Sequence, residues 1–213
     1  DLTYPMRKEE IKLIVYLSIA LAAILTLTYL AVFSTKIELI AVFRGVSFSI
    51  TALTLFWTFY FTYGWTFWPF NKLFYRPNIN GTWAGKLISD YKDENGNSIP
   101  PIDFYIVIRQ SFIRIHFTTL TKDFVGLSYA ETFTLDKDTG LKSIAYLYRK
   151  DTSQLDDNTL REGATELRLI LSKDEKRLEG KYWSNIKTQG SISVSFLNFK
   201  QVDSYDHAQK IKI

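Results

Sequence analysis

Asn80-Gly81-Thr82-Trp83-Ala84-Gly85-Lys86-Leu87-Ile88 marks a change of pattern in the chain. From Asn80 onward apolar and polar residues alternate with period two, and turn residues interrupt the alternation at short intervals, which is the signature of half-buried strands. The pattern predicts strands over 81–91, 102–109, 112–120, 124–135, 141–150, 165–172, 177–185 and 191–200. Three hairpins can be registered by side-chain matching. Around Gln110-Ser111, Ile108 faces Ile113, Ile106 faces Ile115 and Phe104 faces Phe117, with Tyr105, Arg109, Arg114 and His116 on the opposite face. Around Lys173–Lys176, Leu171 pairs with Leu178, Leu169 with Gly180 and Leu167 with Tyr182. Around Asp136–Gly140, Leu135 meets Leu141, Phe133 meets Ser143 and Tyr129 meets Leu147.

Each hairpin therefore has one apolar and one polar face, and no helical segment is available to cover the apolar one. Sequential, short-looped strands of this number close most simply as an eight-stranded up-and-down barrel, with a two-sheet sandwich as the alternative. The Gly81-Thr82-Trp83 opening is similar to the Gly-x-Trp of lipocalin-like barrels, where the tryptophan plugs the closed end.

Working outward towards the N-terminus, Leu13–Thr35 is a run of 23 residues without a charge and Gly45–Asn71 a run of 27. A bilayer core of about 30 Å needs about 20 helical residues, so two transmembrane helices are expected, about 12–34 and 45–70. Both exceed the apolar core of a cleaved leader. The connection Ser34–Arg44 makes them an antiparallel hairpin. Arg7, Lys8, Lys12, Lys72 and Arg76 flank it on one side against Lys36 and Arg44 on the other, which places both termini in the cytoplasm. Trp65, Trp68, Tyr63 and Tyr75 crowd the exit of the second span, where rings suit the headgroup level. The expected organisation is a transmembrane hairpin over 1–78, a cytoplasmic barrel over 79–202 and a tail over 203–213.

Ser47, Thr51, Thr54, Thr58, Thr62 and Thr66 share one face of the second span, within an arc of about 120°. Ser18, Ala22 and Thr26 form a weaker strip on the first. Small and hydroxyl residues are what helices use to associate in lipid. The seam either packs the hairpin or joins subunits of a homo-oligomer. No Asp, Glu, Lys, Arg or His lies inside either uncharged run, which argues against a proton relay or an ion-coupled transporter.

The barrel rim formed by the ends of odd strands and the starts of even ones gathers Tyr91, Lys92, Thr119, Lys122, Tyr129, Tyr148, Arg149, Lys150, Tyr182, Trp183, Asn185 and Lys187. Parity points Tyr91, Thr119, Tyr129, Arg149, Tyr182 and Ser184 inward. Aromatic rings stack on bases and cations bind phosphate, so the candidate ligand-binding residues are Tyr91, Thr119, Lys122, Tyr129, Tyr148, Arg149, Tyr182, Ser184 and Lys187. The ligand expected at such a rim is small, anionic and aromatic.

The 213 residues are 46% apolar and 16% aromatic, enough for a sizeable core. Without cysteine there is no disulfide, thiolate metal site or cysteine nucleophile, and two isolated histidines make no metal site. No catalytic constellation is present: no Gly-x-Ser-x-Gly, no phosphate-binding glycine loop, no His-Glu-x-x-His. Asp156-Asp157 falls in a polar stretch, Asp151–Gly163, that reads as a long loop. An enzyme is disfavoured and no cofactor is expected. The net charge of +4 splits into +3 before residue 80 and +1 after it, which argues against long nucleic acid as a partner.

Two uncharged spans followed by Asn80-Gly81-Thr82-Trp83 and a β-rich domain running to Lys200 resemble the two-transmembrane β-barrel effectors of bacterial cyclic-oligonucleotide anti-phage defence (CBASS). The resemblance implies an inner-membrane effector whose cytoplasmic barrel binds a cyclic dinucleotide made on infection. Binding would trigger oligomerisation, disruption of the membrane and death of the host cell. The competing reading is a membrane-tethered lipocalin-like carrier for a lipid or other apolar ligand.

Overall fold

A computed structural model describes residues 6, 8–34, 38–74, 76–93, 95–136, 139–150, 161–172 and 175–212. Arg7, Lys36, Tyr75 and the Asp156-Asp157 pair lie outside the described residues. The chain divides into a helical unit, residues 5–77 with Ser111–Ile113, and a β unit that holds most of the remainder.

In the helical unit, α1 (Lys8–Phe33) and α2 (Leu39–Thr62) are both long and apolar enough to cross a membrane. The second helix starts six residues before the expected span and stops eight earlier. It begins just past Glu38, which shortens the connection, and it ends where Tyr63 leaves helical geometry and two 3₁₀ turns follow, Gly64–Thr66 and Phe70–Lys72. Arg44 consequently lies within α2, exposed in its second turn, where a long side chain can reach towards the helix end.

The two helices meet through Thr26 and Ser49, whose hydroxyls are 2.8 Å apart, and through Trp57, whose Nε1 donates to Ser18 Oγ at 2.9 Å. Gly45 allows the approach: a Cβ there would come within 3.2 Å of the Thr26 methyl. The expected strip on α1 thus faces α2, whereas the hydroxyl seam of α2 does not face α1. Thr51, Thr54, Thr58 and Thr62 are exposed, and each donates to the carbonyl four residues back along its own helix. Beyond the helices an aromatic core buries Tyr60, Trp65, Phe74 and Phe112. There Arg76 donates to Glu10 Oε2 at 3.0 Å and to the Phe112 carbonyl, its guanidinium 3.9 Å above the Phe112 ring. Arg76, counted above as a topology cation, is a buried ion-pair partner.

The β unit is a closed antiparallel barrel, β1 (Gly81–Ser89), β2 (Ile102–Gln110), β3 (Ile115–Leu120), β4 (Val125–Leu135), β5 (Lys142–Lys150), β6 (Glu162–Leu171), β7 (Lys176–Ser184) and β8 (Gln189–Asn198), in sequence order with β8 returning to β1. Closure replaces the sandwich alternative. Every strand lies within three residues of its expected bounds. Three registers differ. Ile108 faces Phe117 because residues 111–114 form a wider connection, with Phe112 buried in the helical unit's core. Leu169 faces Leu178, two residues from expectation. Both shifts are even, so the faces are preserved. In the β4–β5 pair the shift is odd: Phe133 faces Ile144, Ala130 faces Leu147, and a bulge sits between Ser128 and Ala130.

The inner face packs Trp83, Ile106, Ile108, Phe117, Ile144, Leu167 and Leu178 into one core. Residues 203–213, expected as a tail, contain a short helix, α3 (Tyr205–Lys212). Its Tyr205, Ala208 and Ile211 cover Tyr105, Val107 and Leu120 on the outer face of β2 and β3. The outer face is therefore not uniformly polar, as the hairpin reading had it for Tyr105.

Candidate ligand site

One end of the barrel is sealed by the Asn80–Trp83 segment. Trp83 is fully buried, lies edge-on to Phe196 at 5.5 Å and donates from Nε1 to the Ile79 carbonyl at 3.0 Å. Asn80 clamps β2: its Nδ2 donates to the Gln110 carbonyl at 2.9 Å and its Oδ1 accepts from the Gln110 amide at 2.6 Å.

The other end, where odd strands finish and even strands begin, opens into a cavity of about 320 Å³. Leu87, Ile102, Phe104 and Ile192 form its apolar wall, Leu87 and Ile102 half-exposed near the open end. The rings of Tyr146, Tyr148, Tyr182 and Phe124 and the hydroxyls of Thr119, Thr121, Thr165, Ser184 and Thr188 complete the lining, with Tyr146 and Thr165 buried. Asp123 and Arg161, both exposed, stand among the residues at the mouth, and Arg161 is the one cation among the described lining residues.

The rings are held in place. Tyr146 stacks on Phe117 with centroids 4.6 Å apart and an interplanar angle of 8°, and Phe124 meets Tyr148 edge-on at 6.2 Å. Tyr182 donates to Ser89 Oγ at 2.7 Å, while Ser184 and Thr188 share a hydroxyl contact of 2.7 Å. Burial pushes the Tyr148 phenol up to about 12, with Tyr182 adding to the shift. Burial also raises Tyr182, against the opposing hydrogen bonds of Ser89 and Thr188, and raises Tyr146 further. The three phenols are neutral at any physiological pH, so the interior offers flat stacking surfaces and uncharged donors.

Of the nine rim residues expected from sequence, Thr119, Tyr148, Tyr182 and Ser184 line this cavity. Lys122 and Lys187 are exposed on the loops beside its mouth, Lys187 with a left-handed φ of 58°, and Tyr91 is exposed beyond the end of β1. The inward assignment of Tyr129 and Arg149 is corrected by the odd register shift. Ile144, Tyr146 and Tyr148 face inward on β5, so Arg149 faces outward, its guanidinium 5.8 Å from the Tyr129 ring. Tyr146, Thr165, Arg161, Phe124 and Thr188 were missed. A signal for three of the ring positions was present in three isolated glycines, Gly126, Gly163 and Gly190, at the starts of β4, β6 and β8. A Cβ at Gly126 would lie 2.8 Å from Phe124, at Gly163 2.6 Å from the Tyr148 hydroxyl, and at Gly190 2.8 Å from Tyr182. Isolated strand glycines mark close approach, here of these side chains and, at Gly163 and Gly190, of the Trp183 and Ile88 carbonyls as well.

A profile of the family described as "Cap15, cyclic dinucleotide receptor domain" matches residues 74–195, a span that contains every residue lining the cavity. The chain belongs to the Cap15 cyclic dinucleotide receptor family. The resemblance to two-transmembrane β-barrel CBASS effectors stands on this match and on the observed architecture, two apolar helices ahead of a closed barrel. A relative named "CD-NTase-associated protein 15", from Escherichia albertii, is 26% identical over 151 residues, which cover 68% of this chain and 73% of the relative. Membership of this receptor family makes the chain a CBASS effector that binds a cyclic dinucleotide, a sensing part.

Proposed function

We propose that a cyclic dinucleotide binds at the open mouth of the barrel, with its phosphates towards Arg161 and the loop lysines Lys122 and Lys187. Binding promotes assembly of the helical hairpins in the bacterial inner membrane, with both termini and the barrel in the cytoplasm, and the assembled hairpins disrupt the membrane and kill the infected cell. The observation that carries the binding part is a single mouth, within the receptor-family segment, that combines stacking rings with a cation. Charge-assisted hydrogen bonds to phosphate at a partly exposed arginine suit this placement. A nucleotidyltransferase partner is in keeping with the name of the relative. For assembly, support comes from the threonine face of α2, which the hairpin leaves unpartnered. A ligand shifts such an equilibrium only by binding the assembled state more tightly than the free one, as a dinucleotide bridging or ordering the rims of adjacent barrels would.

The test uses the full chain in detergent and in vesicles, with calorimetry, light scattering and dye release measured on cyclic dinucleotide addition. Saturable binding, an increase in particle mass and nucleotide-dependent release are expected. Arg161→Ala should weaken binding about tenfold and flatten its salt dependence. Arg149→Ala, on the outer face, serves as the control with wild-type affinity. Co-purification of a lipid and indifference to every cyclic dinucleotide would favour the carrier reading instead.

A further inference from the structure

Among the described lining residues two phenols, Tyr146 and Tyr148, make no hydrogen bond of normal geometry within the protein, and Tyr146 is the more deeply buried. Tyr146 is 2% exposed, its ring is fixed by stacking on Phe117, and its hydroxyl makes no hydrogen bond of normal geometry within the protein; Thr165 is the polar side chain beside it. Buried hydroxyls are ordinarily paired, and an unpaired one in a cavity wall is a donor aimed at whatever enters. Of the neighbouring phenols, Tyr182 already donates to Ser89, and Tyr148 is less buried than Tyr146.

Resting on the reading of this barrel as a cyclic dinucleotide receptor, we infer that one base of the ligand enters the barrel and that Tyr146 is the residue that reads it, donating its hydroxyl hydrogen to an acceptor on the base edge. Two features fix which part of the ligand goes in. The volume of about 320 Å³ is at the small end of ligand pockets, which span about 300–1,000 Å³, so it takes part of a dinucleotide and not the whole. The deep lining is uncharged, and the one lining cation, Arg161, is exposed, so a phosphodiester carried inward would lose its water without gaining a counter-charge. A base, flat and neutral, loses little by entering between aromatic walls and regains a hydrogen bond from Tyr146. A phenol held neutral by burial donates more readily than it accepts, which selects for a carbonyl oxygen or ring nitrogen at that point of the base.

The experiment is calorimetry of the full-length chain in detergent with cyclic di-AMP, di-GMP, di-CMP, di-UMP and their mixed pairs, for wild type and Tyr146→Phe. The ligand-free melting temperature is measured alongside. The variant is expected to melt at or above the wild-type temperature, because it removes only an unused buried hydroxyl. It should also bind the preferred dinucleotide about tenfold more weakly and lose most of the ranking among bases. The salt dependence of its binding should match wild type, in contrast to Arg161→Ala. Unchanged affinity and ranking in Tyr146→Phe would overturn the inference. A variant that unfolds or melts well below wild type would overturn it too, since the hydroxyl would then be structural. Wild-type protein that binds none of the nucleotides refutes the receptor reading itself, an outcome distinct from either.

Discussion

At the residue scale, the Asn80–Trp83 segment shows how three side chains and a glycine close one end of a barrel. Asn80 pins β2, and Thr82 Oγ1 donates to the Lys200 carbonyl at 2.6 Å, holding the chain beyond β8. Trp83 fills the space between them. Gly81 sits at φ 120°, and a Cβ there would stand 2.3 Å from the Asn198 carbonyl oxygen, so no other residue fits without moving backbone. Gly126 at the opposite end is a different case. A Cβ there meets only side chains, Thr119 Oγ1 at 2.4 Å and Phe124 at 2.8 Å, both of which line the cavity. Gly126→Ala is therefore expected to leave a folded barrel, at a cost of about 1 kcal/mol, while displacing these two side chains and changing dinucleotide affinity several-fold. Calorimetry beside a thermal melt measures both; a melting loss with untouched affinity would refute the role given to this glycine.

At the scale of elements, α2 separates two tasks on two faces. Gly45, Ser49 and Trp57 bind α1, and Thr51, Thr54, Thr58 and Thr62 point elsewhere with their hydroxyls turned back on their own helix. Thr58→Leu with Thr62→Leu is expected to leave dinucleotide binding intact and to abolish nucleotide-dependent vesicle leakage. Full leakage in the double variant would remove the seam from assembly. The choice between packing and assembly was not legible in the sequence, because helical periodicity identifies a face but not its neighbour. The barrel was legible, since each strand carries its own alternation and its own turn signals. Register was less so. Loop 111–114 is widened by the burial of Phe112, and the bulge at Ser128/Ala130 changes parity, neither of which the alternation of β4 or β5 announces. It is the one-residue offset of the Phe133–Ile144 register that turned β5 over, with Arg149 out and Tyr146 in. It accounts for Arg149 and Tyr146, whereas Lys122, Lys187 and Tyr91 lie on loops or beyond the end of β1, where strand parity does not reach.

At the scale of the whole molecule, the interior of the barrel is a set of neutral phenols, and stability should record this. Tyr148 is raised to about 12 from an ordinary value of 10, and burial raises Tyr146 and Tyr182 as well. The folded state keeps protons that the unfolded chain releases near pH 10. The stabilisation is thus complete below that value and is lost as pH rises towards 12. The melting temperature of the β unit, followed in the full chain, should be level through neutral pH and fall above about pH 10; a flat profile to pH 11 would refute the burial assigned to these rings. Ring closure between β1 and β8 has a further consequence. Every strand has a neighbour on both sides, and among the described strands the shortest ladder is the β3–β4 seam, where only Thr118–Leu120 pair with Val125–Leu127. Recruitment by backbone pairing, which tolerates almost any sequence and is hard to reverse, therefore finds little edge among the other described strands. Away from that seam, a contact between two barrels would act through side chains, whose contributions a single substitution can weaken or strengthen by degrees.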